Sequence, residues 1–192
     1  MPRRKIPEVL SREEQEKILD VFNERYFSSQ RNKMMIKLML DAGLRLAEVI
    51  DLKWGDVNLQ TGEIKIESSK NDKERIVWLN QGTLEELQTW RRRQGDALEE
   101  DVDLVFTTGK GNKLDPRNVR SMVTNYAEKA GITDKNVSPH TFRHTFATDL
   151  YRRTKNLRLV QKALGHSSIS TTQIYTHIVD EEMEEAMKGF RE

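Results

Sequence analysis

The stretch SPHTFRHTFATDLYRRTKNLRLVQKALGHSSISTTQIYTH, residues 138–177, decides how the rest of the chain is read. Ser138-Pro139 is a helix start, because proline at the first helical position gives up an N–H that would be unpaired anyway. LRLVQKAL then runs at helical spacing to Gly165, and a short helix follows through STTQIYTHI. Within it, LGHSSISTTQIYTH, residues 164–177, places two histidines and a tyrosine among small hydroxylic residues, with neither carboxylate nor cysteine beside them. The segment predicts helical packing around an imidazole and a phenol with nothing acidic to hold a metal.

Working outward, Asp115-Pro116 opens a helix that runs to Gly131. Thr83 with Glu86 caps another to about Arg93, and DLVF (103–106) reads as a short buried strand. EIKIES and ERIVWLN alternate apolar and polar residues around SKND, the mark of a small antiparallel hairpin or three-stranded sheet. Nearer the start, Ser11 and Glu14 form a capping box for a helix ending near Tyr26. NKMMIKLMLDA makes a second helix that stops at Gly43, and RLAEVIDLKW a short third. The expected fold is mostly α with a small antiparallel β-sheet (α+β). No repeat or Gly/Ser linker divides the chain, so residues 1–10 are expected to be a lead-in and 11–192 one domain, with a C-terminal helix at about 180–190.

At 192 residues the chain can bury a core without covalent staples. It has no cysteine, which removes disulfides, thiolate metal sites and cysteine nucleophiles together and fits a reducing compartment. No apolar run approaches the roughly 20 residues that span a bilayer, and MPRRKIPEVLS lacks the apolar segment of a signal peptide. A soluble, cytoplasmic protein is expected. The net charge of +1 makes the global field weak, so partners must be chosen by local basic patches: Arg3 to Lys5, Arg91 to Arg93, and YRRTKNLRLVQK. Each patch is ordinarily a solvated helix face.

Several residues could carry chemistry. His140, Arg143 and His144 lie three and four apart, so imidazole and guanidinium share a helix face near a helix N-terminus, a setting that suits an anion. The alternative is that both histidines satisfy caps and core contacts. Their i, i+4 spacing matches a helical zinc pair, but Thr141 follows His140 where a zincin has glutamate, and the surroundings are cationic. No Gly-x-Ser-x-Gly elbow occurs, and TTGKGNK lacks the P-loop spacing. Arg45 follows Gly43 at a helix start, with Glu48 three residues on to orient it. Lys70 and Lys73 sit at the hairpin tip, normally a solvated turn, and Tyr175 could simply be half buried at a helix junction.

Taken in chain order, GLRLAEVIDL, SSKNDKER, HTFRH and LGHSSISTTQIYTH resemble the signature boxes of the tyrosine recombinases of the phage integrase and Xer type. The likeness extends from IPEVLSREE to about residue 180. It implies the family's helical catalytic domain wrapping one face of duplex DNA. It also implies Arg45 and Arg143 as phosphate-clamping arginines, His140 beside them, Lys70 on the hairpin, His166 in LGH and Tyr175 as nucleophile. Two departures stand out. Ser69 and Asn71 flank the lysine where many relatives have glycine, which keeps Lys73 as a lesser candidate. The N-terminal clamp domain usual in relatives is also missing, so the chain is expected to be either an isolated catalytic domain or a minimal recombinase.

The resemblance makes chemical sense of the residues. Two forked guanidiniums can neutralise the charge that builds on a phosphodiester's non-bridging oxygens without a metal, so no cofactor is expected. A phenol of pKa about 10 loses its proton on attack and leaves again as readily, which suits reversible exchange through a 3′-phosphotyrosine. Lys70 is the expected general acid for the leaving 5′-oxygen, and His140 the expected proton partner of Tyr175. The partner implied is double-stranded DNA carrying paired recombination sites, bound through salt-sensitive backbone contacts. A homotetramer on DNA is expected through the C-terminal helix with its Met183, Met187 and Phe190 stripe, and a monomer when free. A type IB topoisomerase-like relaxation and a binding-only regulator are the alternatives.

Overall fold

The computed structural model describes residues 7–67, 74–98, 102–176, 178–179, 187–188 and 190. Among these residues, seven named α-helices and one hairpin follow in the order α1 (Arg12–Asp20), α2 (Phe27–Asp41), α3 (Leu46–Asp51), β1 (Glu63–Ile66), β2 (Arg75–Trp78), α4 (Gln81–Ala97), α5 (Pro116–Lys129), α6 (Pro139–Thr154) and α7 (Leu157–Leu164). Short 3-10 turns lie at Trp54–Asp56 and Ile169–Thr171. The strands pair antiparallel, with Glu63 opposite Trp78 and Ile66 opposite Arg75. Among the described residues the sheet has two strands, and the fold is mostly helical with a small antiparallel sheet as expected.

The middle of the molecule is α2, whose Met34, Met35, Ile36, Leu38, Met39 and Leu40 are all buried. With Lys33, Lys37 and Asp41 confined to one side, α2 buries most of the rest of its circumference and packs against α6, α4, α3 and α1. A smaller core joins Ala147 of α6, Val160 and Leu164 of α7, and Tyr175 and Ile178. It holds the tyrosine segment against α6.

Local chemistry explains most boundaries. The capping box at Ser11 forms, with its N–H donating to Glu14 Oε2 at 2.6 Å and Glu14 N–H returning to Ser11 Oγ at 3.2 Å. Asp115 caps α5 by accepting from Arg117 N–H at 2.7 Å. Three expectations shift. Helix α1 stops at Asp20 because Asn23 Oδ1 accepts from Arg25 N–H, turning the chain before Tyr26. Asn80, not Thr83, caps α4; it accepts from Thr83 N–H, while Thr83 Oγ1 donates to Asp41. Residues 103–106 form no strand: Leu104 makes one isolated bridge, to Lys53, while Trp90 and Gln94 of α4 donate to the carbonyls of Leu104 and Val105. No helix among the described residues is long and apolar enough to cross a membrane. The expected C-terminal helix falls largely outside the described residues, apart from the helical 187–188.

Candidate active site

Two glycines place two of the basic side chains. Gly43 has φ +65°, and a Cβ there would lie 2.3 Å from the Phe146 ring, so only glycine lets the chain leave α2 and turn into Arg45. Gly165, at φ +69°, ends α7 in the left-handed conformation and hands the chain to His166. Helix α6 carries His140, Arg143 and His144.

Arg143 is 4% exposed and spans the gap. Its Nη1 donates to the Gly43 carbonyl, and its Nη2 to the Leu164 carbonyl at 2.7 Å, with His166 Nε2 at 3.5 Å. Burial, then the neighbouring charge of Arg45, pushes its pKa down to about 10, which still leaves it protonated at neutral pH. His166 is oriented through its other nitrogen, with Thr172 Oγ1 3.1 Å from Nδ1. Arg45 is the N-cap of α3; its N–H donates to Glu48 Oε2 at 2.7 Å and its Nη1 to Glu48 Oε1 at 2.9 Å. The i, i+3 spacing therefore does orient the guanidinium.

Glu48 gathers more cations than the sequence suggested. Arg75, 7% exposed at the start of β2, donates from Nη1 and Nη2 to the two Glu48 oxygens at 2.8 and 2.7 Å. Burial alone would raise the carboxyl pKa, but the bonds and charge of Arg75, then the Arg45 N–H and Arg143, hold it down to about 2.

Tyr175 is 1% exposed in the smaller core, and its Oη lies 3.0 Å from His144 Nδ1. Either atom can donate, depending on the imidazole tautomer. Burial pushes the phenol up to about 12 against the charges of Arg143 and Arg45. Burial also lowers His144 to about 4, helped by His140 and Arg143, so the ring is neutral at pH 7. The imidazole against the phenol here is that of His144, one turn beyond His140, the expected proton partner. His140 lies exposed at the start of α6, lining with His144, Ser138 and Asn136 a concavity of about 350 Å³. Desolvation, then the charges of Arg143, Arg120 and Arg45, keeps its pKa below the usual range.

The structure thus brings Arg45, Arg143, His140, His166 and Tyr175 to one end of α6. Lys70 and Lys73 lie outside the described residues. A larger cleft of about 860 Å³ opens between the hairpin and α7, lined by Lys65, Arg75, Trp78, Arg158, Lys162 and His166 among others. Sequence reasoning missed Arg75 and the contact of His144. An arginine at the same strand parity as buried Val77 was the available signal for the first. For the second there was only the i+4 step from His140, a spacing weighed as a zinc pair and set aside.

These shifts fix a pH dependence of stability. Between pH 6.5 and about 4 the unfolded chain protonates a histidine that folded His144 leaves neutral, so stability falls as pH drops through that window. Glu48 continues the loss between 4.5 and about 2. Tyr175 acts at the other end: from pH 10 to about 12 the unfolded phenol ionises first, so stability falls as pH rises. Melting temperatures taken from pH 4 to 7 should show a slope that His144→Asn flattens; an unchanged slope would contradict the assignment.

The phage integrase family model matches residues 8–182. Tyrosine recombinase XerC of Vibrio campbellii is 37% identical over 179 residues, covering 92% of this chain and 56% of that protein. Tyrosine recombinase XerA of Pyrococcus furiosus is 33% identical over 186 residues, covering 95% of this chain and 62% of that protein. Among solved structures, the XerH site-specific recombinase bound to palindromic difH substrate in a post-cleavage complex superposes with a TM-score of 0.83. That likeness holds at 34% identity over 98% of this chain and 54% of the XerH chain. The chain spans little more than half the length of the curated relatives it matches.

Proposed function

The chain belongs to the phage integrase family, and on that premise we propose that residues 11–192 form the catalytic domain of a site-specific DNA recombinase. Its substrate is double-stranded DNA carrying paired recombination sites, a reading supported by the likeness to XerH, a site-specific recombinase bound to palindromic difH substrate. The observation that carries the reading is the convergence of a tyrosine paired with a neutral imidazole on a fixed cluster of cations.

In this reading Tyr175 Oη attacks the scissile phosphorus and forms a 3′-phosphotyrosine, and the 5′-oxygen leaves. Arg45, Arg143, His140 and His166 face the non-bridging oxygens, where planar donors offset the extra charge of the transition state. His144 Nδ1 takes the phenolic proton, a role its neutral form supports. Lys70 gives a proton to the 5′-oxygen. The new ester stores the energy of the broken one, so a 5′-hydroxyl from another strand can reverse the step without a nucleotide or metal. A phenol 1% exposed cannot meet a phosphate where it lies, so the backbone around Tyr175 shifts when DNA docks. The assembly proposed is a homotetramer on two sites, working in the cytoplasm and joined by the C-terminal helix. Met187 and Phe190, 74% and 84% exposed, supply apolar surface for that contact.

The test is a nicked suicide duplex carrying the flanking repeats of the chain's own locus, incubated without magnesium and run on a denaturing gel. The expected adduct retains a label placed 5′ of the break and releases a free 5′-hydroxyl. Binding without an adduct would leave the regulator reading, and a protein linked to the 5′ end would exclude this chemistry.

A further inference from the structure

Arg75 is a buried arginine outside the groups assigned to the phosphate. Besides its two bonds to Glu48, its Nε donates to the Ala163 carbonyl at 2.9 Å. Its Cδ packs so closely on Gly165 that a Cβ there would come to 3.0 Å. One guanidinium therefore touches α3 through Glu48 and the end of α7 through Ala163.

The last carbonyls of a helix have no partner within it, and cations are favoured at that end. Here the carbonyls of Ala163 and Leu164, immediately before the turn into His166, are taken by Arg75 and Arg143 in succession. At the other side Glu48 fixes both the backbone and the guanidinium of Arg45. A fork bonded on both prongs and at Nε has no freedom to rotate, so it acts as a rigid spacer. Lysine would keep the charge and lose the spacing.

We propose that Arg75 is a positioning residue for the phosphate clamp: by holding Glu48 and the Ala163 carbonyl with one rigid guanidinium, it sets the separation of Arg45 from His166. This rests on the proposed function, in which those two residues face the scissile phosphate. A shift of about 1 Å in such a group can cost on the order of 10²-fold in rate.

The test compares two suicide duplexes, one with an ordinary scissile phosphate and one with a neutral methylphosphonate there. The second lacks the charge that the clamp neutralises. Arg75→Lys and Arg75→Gln should bind both duplexes as the parent does and form adduct on the phosphate about 10²-fold more slowly. On the methylphosphonate the deficit should shrink to less than about tenfold, because misplaced guanidiniums matter less there. An equal deficit on both substrates, or none on the phosphate, would overturn the proposal. If Arg75→Gln leaves Glu48 unpaired and unfolds, Arg75→Gln with Glu48→Gln replaces the ion pair by an amide pair and should show the same substrate dependence. Amide hydrogen exchange on the free protein provides an arm independent of catalysis. Exchange in residues 43–46 and 163–167 should speed up together in Arg75→Lys, and protection unchanged in both would also sink the idea. A parent protein that gives no adduct on either duplex would count against the proposed function, while the exchange arm still decides the role of Arg75.

Discussion

Tyr175→Phe is expected to remove covalent adduct formation by at least about 10⁴-fold while leaving DNA binding and the fold in place. The phenol is the group that would be joined to DNA. The ring is also packing material, 1% exposed against Ala147, Val160, Leu164 and Ile178. Phenylalanine keeps that volume and gives up one hydrogen bond, to His144, which is worth about 1 kcal/mol. Urea unfolding should therefore move little while the adduct disappears. A variant that still forms adduct would show that another residue attacks.

Arg143 presents the opposite case, because its removal damages structure and chemistry together. Arg143→Ala strips the Gly43 and Leu164 carbonyls of their donor inside the protein and takes a cation from beside Glu48, 3.9 Å away. Leaving buried groups unsatisfied costs about 1–3 kcal/mol each, so a loss of about 2–5 kcal/mol is expected in chemical unfolding. Arg143→Lys is the informative companion: it keeps a charge but cannot reach both carbonyls with a planar fork. It should fold with reduced stability and form adduct about 10²- to 10³-fold more slowly, the usual effect of losing a donor aimed at developing charge. Adduct formation at the parent rate in Arg143→Lys would mean that charge alone suffices and that the grip on the two turns is irrelevant to the chemistry.

What the sequence disclosed and what it hid follow from the range of the interactions. Caps are local, so Ser11 with Glu14 and Asp115 before Pro116 were legible, and so was the hairpin from its alternation. The start of α2 was missed because Ser29 and Gln30, polar residues ahead of the apolar run, are buried in it. The residues 103–106 look like a strand, yet their backbone pairing is one isolated bridge to residues 52–54, and the side chains of Trp90 and Gln94 complete the fastening. Within the site, the signature boxes brought in Arg45, Arg143, His166 and Tyr175. They could not show that His144, 31 residues away in sequence, meets the phenol, nor that Arg75 reaches Ala163 across 88 residues. Such contacts depend on how α6, α7 and the hairpin pack, and no local pattern encodes them.

The most direct measurement is the location of the covalent bond. Trypsin should release residues 163–188 as one peptide whose single tyrosine is Tyr175. After reaction with the suicide duplex and nuclease trimming, mass spectrometry should find this peptide carrying a nucleotide through its 3′-phosphate. A nucleotide on any other peptide, or none on a protein that demonstrably binds the duplex, would contradict the account.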